Sequence, residues 1–456
     1  MLDEVGNAAT NRFYIERQNE TESNARSYPR KFPFALKTAK GSYLTDVEGN
    51  KYLDFLCGAG TLALGHNDPE VNSAFVEMIN SDAVLHSLDL TTPVKDEFVH
   101  TLLSLLPGEL KNNAKIQFCS PCGTDATDAA IKLCKTATGR SGVIAFSGAF
   151  HGMGHGALSC TGNLADKEKV HALMPEVYHF PYPYDYRDPF GLGGEMGVKA
   201  CCNYFERTLK DSESGMPKPA CVILEAIQGE GGVIPAPVEF LQTVRRVTKE
   251  LDIPLIVDEI QAGIGRSGNF FAFEYADIVP DVILCSKAIG GSLPMAVVAY
   301  NKKLDVWGPA AHTGTFRGNQ LAMRGGTIVM KRVSNPDFLK EVREKGEYLI
   351  GKMKELQKKV SIIGDVRGRG LMIGVEFIDP NTSADMLGSH TGGGPIAAEV
   401  QKRCFENRLV MEKGGREGAV MRCLCALNVT RDEIDAMWKI FEKVVLEVDS
   451  EVKTKK

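Results

Sequence analysis

Between residues 70 and 330, short apolar runs alternate with segments of helical periodicity. The runs are three to five residues long, and in most of them apolar residues stand side by side instead of at every second position. This pattern is typical of strands buried on both faces of a mainly parallel sheet. It predicts strands at six places: 114–118, 143–146, 221–224, 255–257, 282–285 and 296–300.

Helical periodicity is clearest after the first of these runs. Apolar residues recur on one face of a helix predicted over 123–138, and Gly139 stands at its expected stop. Residues 41–55 alternate in polarity and break at 48–50, which predicts a hairpin. After about residue 335 the pattern instead predicts, in order, a charged helix over 336–359, a strand pair around 371–377, a glycine-rich loop at 392–394 and two more helices.

Residues 1–40 are polar, and Pro29 and Pro33 favour an extended arm over a helix there. The order of elements after this arm predicts an α/β protein with a large and a small domain. The expected parts are an N-terminal arm with part of the small domain over 1–70, a large cofactor-binding domain over 71–330, and a smaller C-terminal α+β domain over 331–456.

Composition and charge argue against several classes of function. The 456 residues carry 53 lysines and arginines against 58 aspartates and glutamates, without a long basic run, so a nucleic-acid surface is not expected. No apolar stretch reaches the roughly 18 residues of a membrane span, and the N-terminus lacks the apolar core of a signal peptide. We therefore expect a cytoplasmic protein that binds small metabolites and no membrane.

Twelve cysteines are scattered along the chain, several of them within apolar segments, which indicates reduced, buried thiols. Cys119 and Cys122 have CxxC spacing, but no second pair completes a four-ligand zinc site. No metal site is therefore predicted.

Two neighbouring strand ends carry opposite charges. The run at 255–257 ends in Asp258 and Glu259. The run at 282–285 is followed by Lys287. Because ligands bind at the carboxyl ends of strands in open α/β sheets, both charges are expected in one cleft. A lysine amine that can form a Schiff base, beside an acid that can keep a pyridine nitrogen protonated, indicates a pyridoxal phosphate (PLP) enzyme. Taken alone, the two acids would also suit the cap of a following helix.

Other residues suit the same cofactor. Gly123 and Thr124 open the predicted helix, where free backbone N–H groups can bind a phosphate. Phe150 follows the next strand and could stack on a pyridine ring. Gln261 could reach the phenolic oxygen from the turn after Asp258. Each of these features is weak alone, because glycine turns and packed aromatic residues are common.

The order of these motifs resembles that of the class III PLP-dependent aminotransferases, from about residue 32 to 445. The resemblance implies the type I fold, in which a large domain with a mainly parallel seven-stranded sheet is joined to a smaller α+β domain. It implies that Lys287 is the Schiff-base lysine and proton shuttle, and that Asp258 pairs with the pyridine nitrogen. The other implied contacts are the phosphate with Gly123 and Thr124, the ring face with Phe150, and the phenolic oxygen with Gln261.

Three more residues match family positions. Thr315 looks like the threonine that relatives lend to the phosphate across a subunit interface, which implies a homodimer or a dimer of dimers. Glu230 resembles the family's switch glutamate, and Arg422 its carboxylate-binding arginine. Arg422 could bind the α-carboxylate of glutamate bidentately, or pair with Glu230 when a cationic substrate enters.

Within the family, the chain is similar to the subgroup that acts on L-2,4-diaminobutyrate. The likeness lies in the segments 58–62, 258–263, 286–294 and 314–320, whereas ectoine-type relatives usually have two consecutive aspartates in place of Asp258 and Glu259. The implied reaction moves the 4-amino group from L-2,4-diaminobutyrate to the 2-oxo acid 2-oxoglutarate. Its products are L-aspartate 4-semialdehyde and L-glutamate.

Several points stay open at this stage. Met153 stands where ornithine and 4-aminobutyrate aminotransferases place an arginine, so the group that binds the substrate's α-carboxylate is not identified. Cys122 stands where the phosphate loop usually has a small hydroxyl residue, so one hydrogen bond to the phosphate is expected to be missing or weaker. The alternative functions are another class III omega-aminotransferase, an aminomutase or racemase on the same fold, and a cofactor-binding protein without turnover.

Overall fold

The computed structural model describes residues 9–454 of the chain. The strands, in chain order, are β1 (Leu36–Lys40), β2 (Tyr43–Asp46), β3 (Lys51–Asp54), β4 (Ala114–Cys119), β5 (Val143–Phe146), β6 (Val177–Phe180), β7 (Cys221–Leu224), β8 (Ile227–Gln228), β9 (Ile234–Pro235), β10 (Leu255–Asp258), β11 (Val282–Cys285), β12 (Ala296–Asn301), β13 (Ile363–Arg369), β14 (Met372–Phe377), β15 (Leu409–Val410), β16 (Glu412–Gly414) and β17 (Val420–Cys423).

The α-helices, in the same order, are α1 (Asn11–Thr21), α2 (Tyr28–Lys31), α3 (Cys57–Gly60), α4 (Pro69–Asn80), α5 (Pro93–Leu105), α6 (Leu110–Asn113), α7 (Gly123–Thr138), α8 (His155–Cys160), α9 (Gly194–Lys210), α10 (Val238–Glu250), α11 (Gln320–Val333), α12 (Pro336–Gln357), α13 (Gly393–Glu406) and α14 (Arg431–Thr454). Short 3₁₀ helices lie at Asp185–Arg187, Ala272–Ala276, Lys287–Gly290, Lys302–Leu304 and Arg416–Gly418. None of the helices within residues 9–454 has the length and hydropathy of a membrane span.

A seven-stranded sheet forms the centre of the protein, with strand order β4-β12-β11-β10-β7-β5-β6. β12 is antiparallel to both of its neighbours, and the remaining pairs are parallel. The predicted α/β class and mainly parallel seven-stranded sheet are confirmed, and each of the six predicted runs is a strand. The pattern did not predict β6, because this edge strand buries only Phe180 fully.

Hydrophobic clusters cover both faces of the central sheet. In β10, Leu255 and Val257 pack into one cluster and Ile256 into the other. The second cluster includes the apolar face of α7, which ends as predicted because Gly139 adopts a left-handed φ of 67°. Burial on both sides explains why these strands read as continuous apolar runs.

Two four-stranded sheets, β1-β2-β3-β15 and β13-β14-β17-β16, flank the central one. The predicted hairpin at 41–55 is the antiparallel pair β2 and β3. The strand pair predicted around 371–377 is β13 with β14. The glycine-rich stretch at 392–394 is only partly a loop, since α13 begins at Gly393. Domain boundaries near residues 70 and 330 stay a prediction.

The prediction of an extended N-terminal arm is wrong for the part that the structure describes; residues 1–8 lie outside that part. α1 forms because Thr10 caps it, accepting a hydrogen bond from the backbone N–H of Phe13 at 3.2 Å. The prolines lie beyond α1. Pro29 occupies the first turn of α2, where a missing N–H costs no intrahelical hydrogen bond.

Candidate active site

The carboxyl ends of the parallel strands meet at one edge of the central sheet, where the structure has a cavity of about 160 Å³. Asp258 ends β10, Glu225 follows β7 directly, and Lys287 follows β11 by two residues. Each of these side chains therefore reaches the cavity from a different strand. The predicted site residues that line it are Gly123, Thr124, Phe150, Glu230, Asp258, Gln261 and Lys287.

Lys287 has a strained backbone. Its φ of +49° lies in the left-handed region, which a lysine rarely adopts and which is common at functional sites. Burial lowers the pKa of the Lys287 amine, and the carboxylates of Glu230 and Asp258 oppose this shift only in part. A lowered pKa increases the neutral fraction of the amine, and the neutral amine is the form that attacks a carbonyl carbon.

Asp258 is 4% exposed, and both of its carboxylate oxygens have partners. Oδ1 accepts a hydrogen bond from the backbone N–H of Ile260 at 3.0 Å, and Oδ2 lies 2.8 Å from Nδ1 of His151. The backbone of His151 is in turn fixed by the hydroxyls of Thr127 and Thr161, at 2.9 and 3.1 Å. Nε2 of His151 has no hydrogen-bond partner among the described residues. His151 thus orients Asp258, a role that the sequence did not reveal.

Glu225 is a second residue that the sequence left unassigned. Its carboxylate accepts hydrogen bonds from the backbone N–H groups of Phe150 and Gly229, both at 2.9 Å. Burial raises the pKa of this carboxyl to about 7. Glu225 therefore ties the loops that carry Phe150 and Glu230 to the end of β7. An acid directly after a buried apolar run was the available signal.

The first turn of α7 forms another wall of the cavity. Its N-cap residue is Cys122, whose side chain caps no backbone N–H. A Cβ added at Gly123 would lie 2.8 Å from Cδ1 of Ile260, so a larger residue does not fit without movement of that side chain. Oγ1 of Thr124 accepts a hydrogen bond from the backbone N–H of Gly154 at 2.8 Å. The uncapped helix start suits an anion such as a phosphate.

Glu230 and Arg422 form a bidentate ion pair, with N···O distances of 2.8 and 2.7 Å. The Arg422 side chain is 1% exposed and the Glu230 side chain 36%. Burial acts to raise the pKa of Glu230, but the charges of Arg422 and Lys287 outweigh it and hold this pKa below its usual value. Gln261 accepts a hydrogen bond from Arg422 at 3.4 Å and donates one to the carbonyl of Ala59 at 3.3 Å.

Three residues that the sequence singled out, Arg422, Thr315 and Glu259, do not themselves line the cavity of their own chain. Thr315 is exposed, and its backbone carbonyl lies 3.0 Å from Nε2 of His86. Glu259 is buried, accepts hydrogen bonds from the backbone N–H groups of Ala272 and Phe273 at 2.6 and 3.1 Å, and has its pKa raised by burial to about 8. Glu259 therefore caps the 3₁₀ helix Ala272–Ala276. Helix capping, which the sequence analysis considered for both acids, applies to Glu259 and not to Asp258.

The fold and the cavity define a class of protein. Residues 24–445 match the aminotransferase class-III family, and the chain belongs to it. This membership indicates PLP as the cofactor. The arrangement of a half-buried lysine, a buried acid and an uncapped helix start agrees with that cofactor.

The chain is similar over nearly its whole length to two relatives that bear the name diaminobutyrate--2-oxoglutarate aminotransferase. The protein from Haemophilus influenzae is 54% identical, over 96% of each chain. The protein from Rhizobium meliloti is 53% identical, over 94% of this chain and 91% of the relative. The fold is also that of an amine transaminase from an uncultivated Pseudomonas species in its PLP-bound form, with a TM-score of 0.83, 22% identity, and coverage of 94% of this chain and 98% of that one.

Proposed function

We propose that the protein transfers the 4-amino group of L-2,4-diaminobutyrate to 2-oxoglutarate, giving L-aspartate 4-semialdehyde and L-glutamate. Two relatives that match more than nine-tenths of this chain carry the name of this activity. The structural observation that carries the proposal is the Glu230–Arg422 ion pair beside Lys287. Such a pair can open to expose an arginine for a dicarboxylate, or stay closed for a donor that brings a cationic amine.

The chemistry of the cavity walls supports specific contacts with PLP. A lysine of lowered pKa suits an aldehyde, a buried carboxylate suits a protonated pyridine nitrogen, and an uncapped helix start suits a phosphate. When bound, the cofactor supplies an electron sink for the substrate carbon that loses a proton. We assign the aldehyde carbon to Lys287, the pyridine nitrogen to Asp258, the phosphate to Gly123 and Thr124, the ring face to Phe150, and the phenolic oxygen to Gln261.

Lys287 is the group proposed to move the proton. Its Nζ would take the proton from the substrate carbon that bears the reacting amine, hold it, and later give it up again as the general acid. Burial favours the neutral amine, which can act as the base. His151 lies 2.8 Å from Asp258, which fixes the carboxylate in the position where it would hold the pyridine nitrogen.

Glu230 and Arg422 are proposed to distinguish the two substrates. With diaminobutyrate the pair stays closed, and the buried guanidinium is neutralised by Glu230. With 2-oxoglutarate or glutamate, the more exposed Glu230 turns away, and Arg422 binds the α-carboxylate through the same two N–H groups. Both states keep the buried cation paired, which avoids the cost of an isolated buried charge.

We also propose a homodimer as the active unit, either alone or within a dimer of dimers. Thr315 is exposed on its own chain, and the side chain of the adjacent Phe316 is 69% exposed. Leu85 and Leu90 are 50% and 70% exposed, and an apolar surface of this kind marks a protein contact. Burial of this surface against a second subunit would carry Thr315 toward the other subunit's phosphate.

The two-domain division and a cytoplasmic location belong to the same proposal. The central sheet uses strands from residues 114–301. One flanking sheet joins β1, β2 and β3 to β15, and the other uses only strands from residues 363–423. This separation supports boundaries near residues 70 and 330. The small, charged substrates favour a cytoplasmic location.

An amino-donor panel with product identification tests the proposed function. The purified protein with PLP would be given diaminobutyrate, ornithine or 4-aminobutyrate, with 2-oxoglutarate or pyruvate as acceptor. We expect diaminobutyrate with 2-oxoglutarate to be the best pair, with glutamate formed in a one-to-one ratio with the semialdehyde. Retention of both nitrogens in one product would instead indicate an aminomutase, and a better rate with another donor would indicate a different omega-aminotransferase.

A further inference from the structure

A second buried carboxylate lies beside Arg422 without pairing to it. Glu412 in β16 stands directly opposite Arg422 in β17, so the two side chains project from the same face of the sheet. The Glu412 side chain is 2% exposed. Arg422 donates its hydrogen bonds to Glu230 and Gln261 instead. A buried carboxylate needs other partners, and Glu412 finds them in the N-terminal segment.

Both side-chain partners of Glu412 come from α2, and its Oε1 also accepts a hydrogen bond from the backbone N–H of Lys413 at 3.0 Å. The hydroxyl of Tyr28 donates to Oε2 at 2.8 Å, and the ammonium of Lys31 lies 3.2 Å from Oε1. Both residues are more accessible than the carboxylate, since Tyr28 is 43% exposed and the Lys31 side chain 29%. In the cluster of Glu412, Tyr28 and Lys31, the most buried member is therefore the carboxylate of Glu412. Its cationic partner, Lys31, can be exchanged.

The cluster adjoins the cofactor cavity. Tyr28 lines a second cavity of about 690 Å³, which also includes Ala59. The carbonyl of Ala59 accepts a hydrogen bond from Gln261, which lines the cofactor cavity. Burial raises the pKa of Tyr28, and the charges of Glu412 and Glu230 add to this shift, which places the hydroxyl close to both carboxylates. The two cavities are therefore linked through the hydrogen bond between Gln261 and Ala59.

Diaminobutyrate presents a second ammonium group at the end away from the reacting 4-amine. Glu230 is already engaged by both terminal nitrogens of Arg422, whereas Glu412 is bound by a primary ammonium of the same chemistry as the substrate's. We propose that the Glu412 carboxylate binds the α-ammonium group of diaminobutyrate and so determines donor specificity. The α-ammonium group takes the place of the Lys31 ammonium, and Tyr28 positions the Glu412 carboxylate. This inference rests on the proposed function and deepens it. Lys31, once displaced, is available to the adjacent α-carboxylate.

The test compares Glu412→Gln with the parent holoenzyme on three donors. The kcat/KM for diaminobutyrate should fall by about 10- to 100-fold, as expected for loss of a hydrogen bond between charged groups. Glutamate and 4-aminobutyrate lack a distal ammonium, so their kcat/KM should stay within about threefold. Glu376→Gln is the matched control, because Glu376 is a buried carboxylate in β14 of the same sheet that pairs with Arg187 and Arg367. It should not change the preference among donors.

An equal loss for all three donors, or an unchanged rate with diaminobutyrate, would overturn the inference. If Glu412→Gln does not yield a folded holoenzyme, Tyr28→Phe keeps the carboxylate and removes one donor. It should raise KM for diaminobutyrate by about three- to tenfold with little change for glutamate, and equal shifts would contradict the positioning role. A parent that does not turn over diaminobutyrate would contradict the proposed function itself. A parent active on diaminobutyrate with an equally active Glu412→Gln variant would overturn only this inference.

Discussion

The cofactor end and the substrate end of the cavity are built from different parts of the fold. At the cofactor end, Asp258 ends β10 and Lys287 follows the adjacent strand β11. At the substrate end, Arg422 comes from a flanking sheet and Glu230 from the loop between β8 and β9. Side chains on neighbouring strands of one sheet keep their relative positions, whereas groups on separate elements can part.

The two acids, Asp258 and Glu230, also differ in burial. Asp258 is 4% exposed and held on both oxygens, whereas the Glu230 side chain is 36% exposed and shares its arginine with Gln261. A fixed, buried acid suits one task throughout the reaction. A partly exposed acid paired with a buried arginine suits two alternating substrates. The comparison predicts that changes at the cofactor end affect all substrates alike, and that changes at the substrate end affect them unequally.

The largest effect is expected for Lys287→Ala. It should lower turnover roughly 1,000-fold or more with every donor, because both the covalent anchor and the base are lost. It should also abolish the visible absorption that arises when PLP is joined to the lysine. Lys303→Ala is the matched control, since Lys303 is 55% exposed and pairs with Asp281 at the far end of the sheet. Normal turnover in the Lys287 variant would refute the mechanism.

Asp258→Asn should come next, lowering kcat by roughly 100-fold for all donors while the protein still binds PLP. The amide keeps the shape of the side chain but removes the charge that stabilises a protonated ring nitrogen. His151→Gln should cost less, about tenfold, because Asp258 keeps its hydrogen bond from Ile260. Steady-state kinetics together with the absorption of bound PLP would measure both. A larger loss of kcat in the His151 variant than in the Asp258 variant would contradict the assignment of His151 as the residue that only positions Asp258.

At the substrate end, Arg422→Ala should raise KM for 2-oxoglutarate by about 10- to 100-fold and affect diaminobutyrate much less. The dicarboxylate loses its bidentate partner, whereas the diamine never uses it. Glu230→Gln is the matched partner variant, and it should penalise diaminobutyrate more than glutamate because the unpaired arginine then repels a cationic donor. Equal losses for the two substrates in both variants would contradict the switch.

The sequence predicted the residues at the strand ends better than the residues that hold them in place, for a physical reason. Buried strands read as apolar runs, so the positions of Asp258 and Lys287 followed from local pattern alone. His151 and Glu225 act through contacts with residues 107 and 75 positions away, which no local pattern encodes. In the sequence, Glu412 lies even further from its partner Tyr28, at a separation of 384 positions.

The errors in the fold have a similar origin. α1 was missed because its apolar content is low and its stability depends on a cap at Thr10 and on polar side-chain contacts such as Arg12 with Glu16. β6 was missed because an edge strand lacks the continuous apolar run of its neighbours. The placement of Thr315 relative to a phosphate depends on a second subunit and stays a prediction.

The smallest effect concerns Cys122, the N-cap of α7 that caps no backbone N–H. Cys122→Ser should stabilise the cofactor-free protein by about 0.5–1 kcal/mol, because a serine hydroxyl accepts a hydrogen bond that the thiol does not. Urea unfolding would measure this difference. Cys134→Ser, a buried position on the same helix, should destabilise instead. An equal loss of stability in the Cys122 and Cys134 variants would contradict the absence of a side-chain cap at the start of α7.

Nitrogen tracing tests the central claim most directly. Diaminobutyrate labelled with ¹⁵N only at its 4-amino group would be incubated with the holoenzyme and 2-oxoglutarate, and the products analysed by mass spectrometry. The proposed reaction predicts ¹⁵N in glutamate and an unlabelled nitrogen retained in aspartate 4-semialdehyde. Unlabelled glutamate, or label that stays in a single diamino product, would contradict transfer of the 4-amino group.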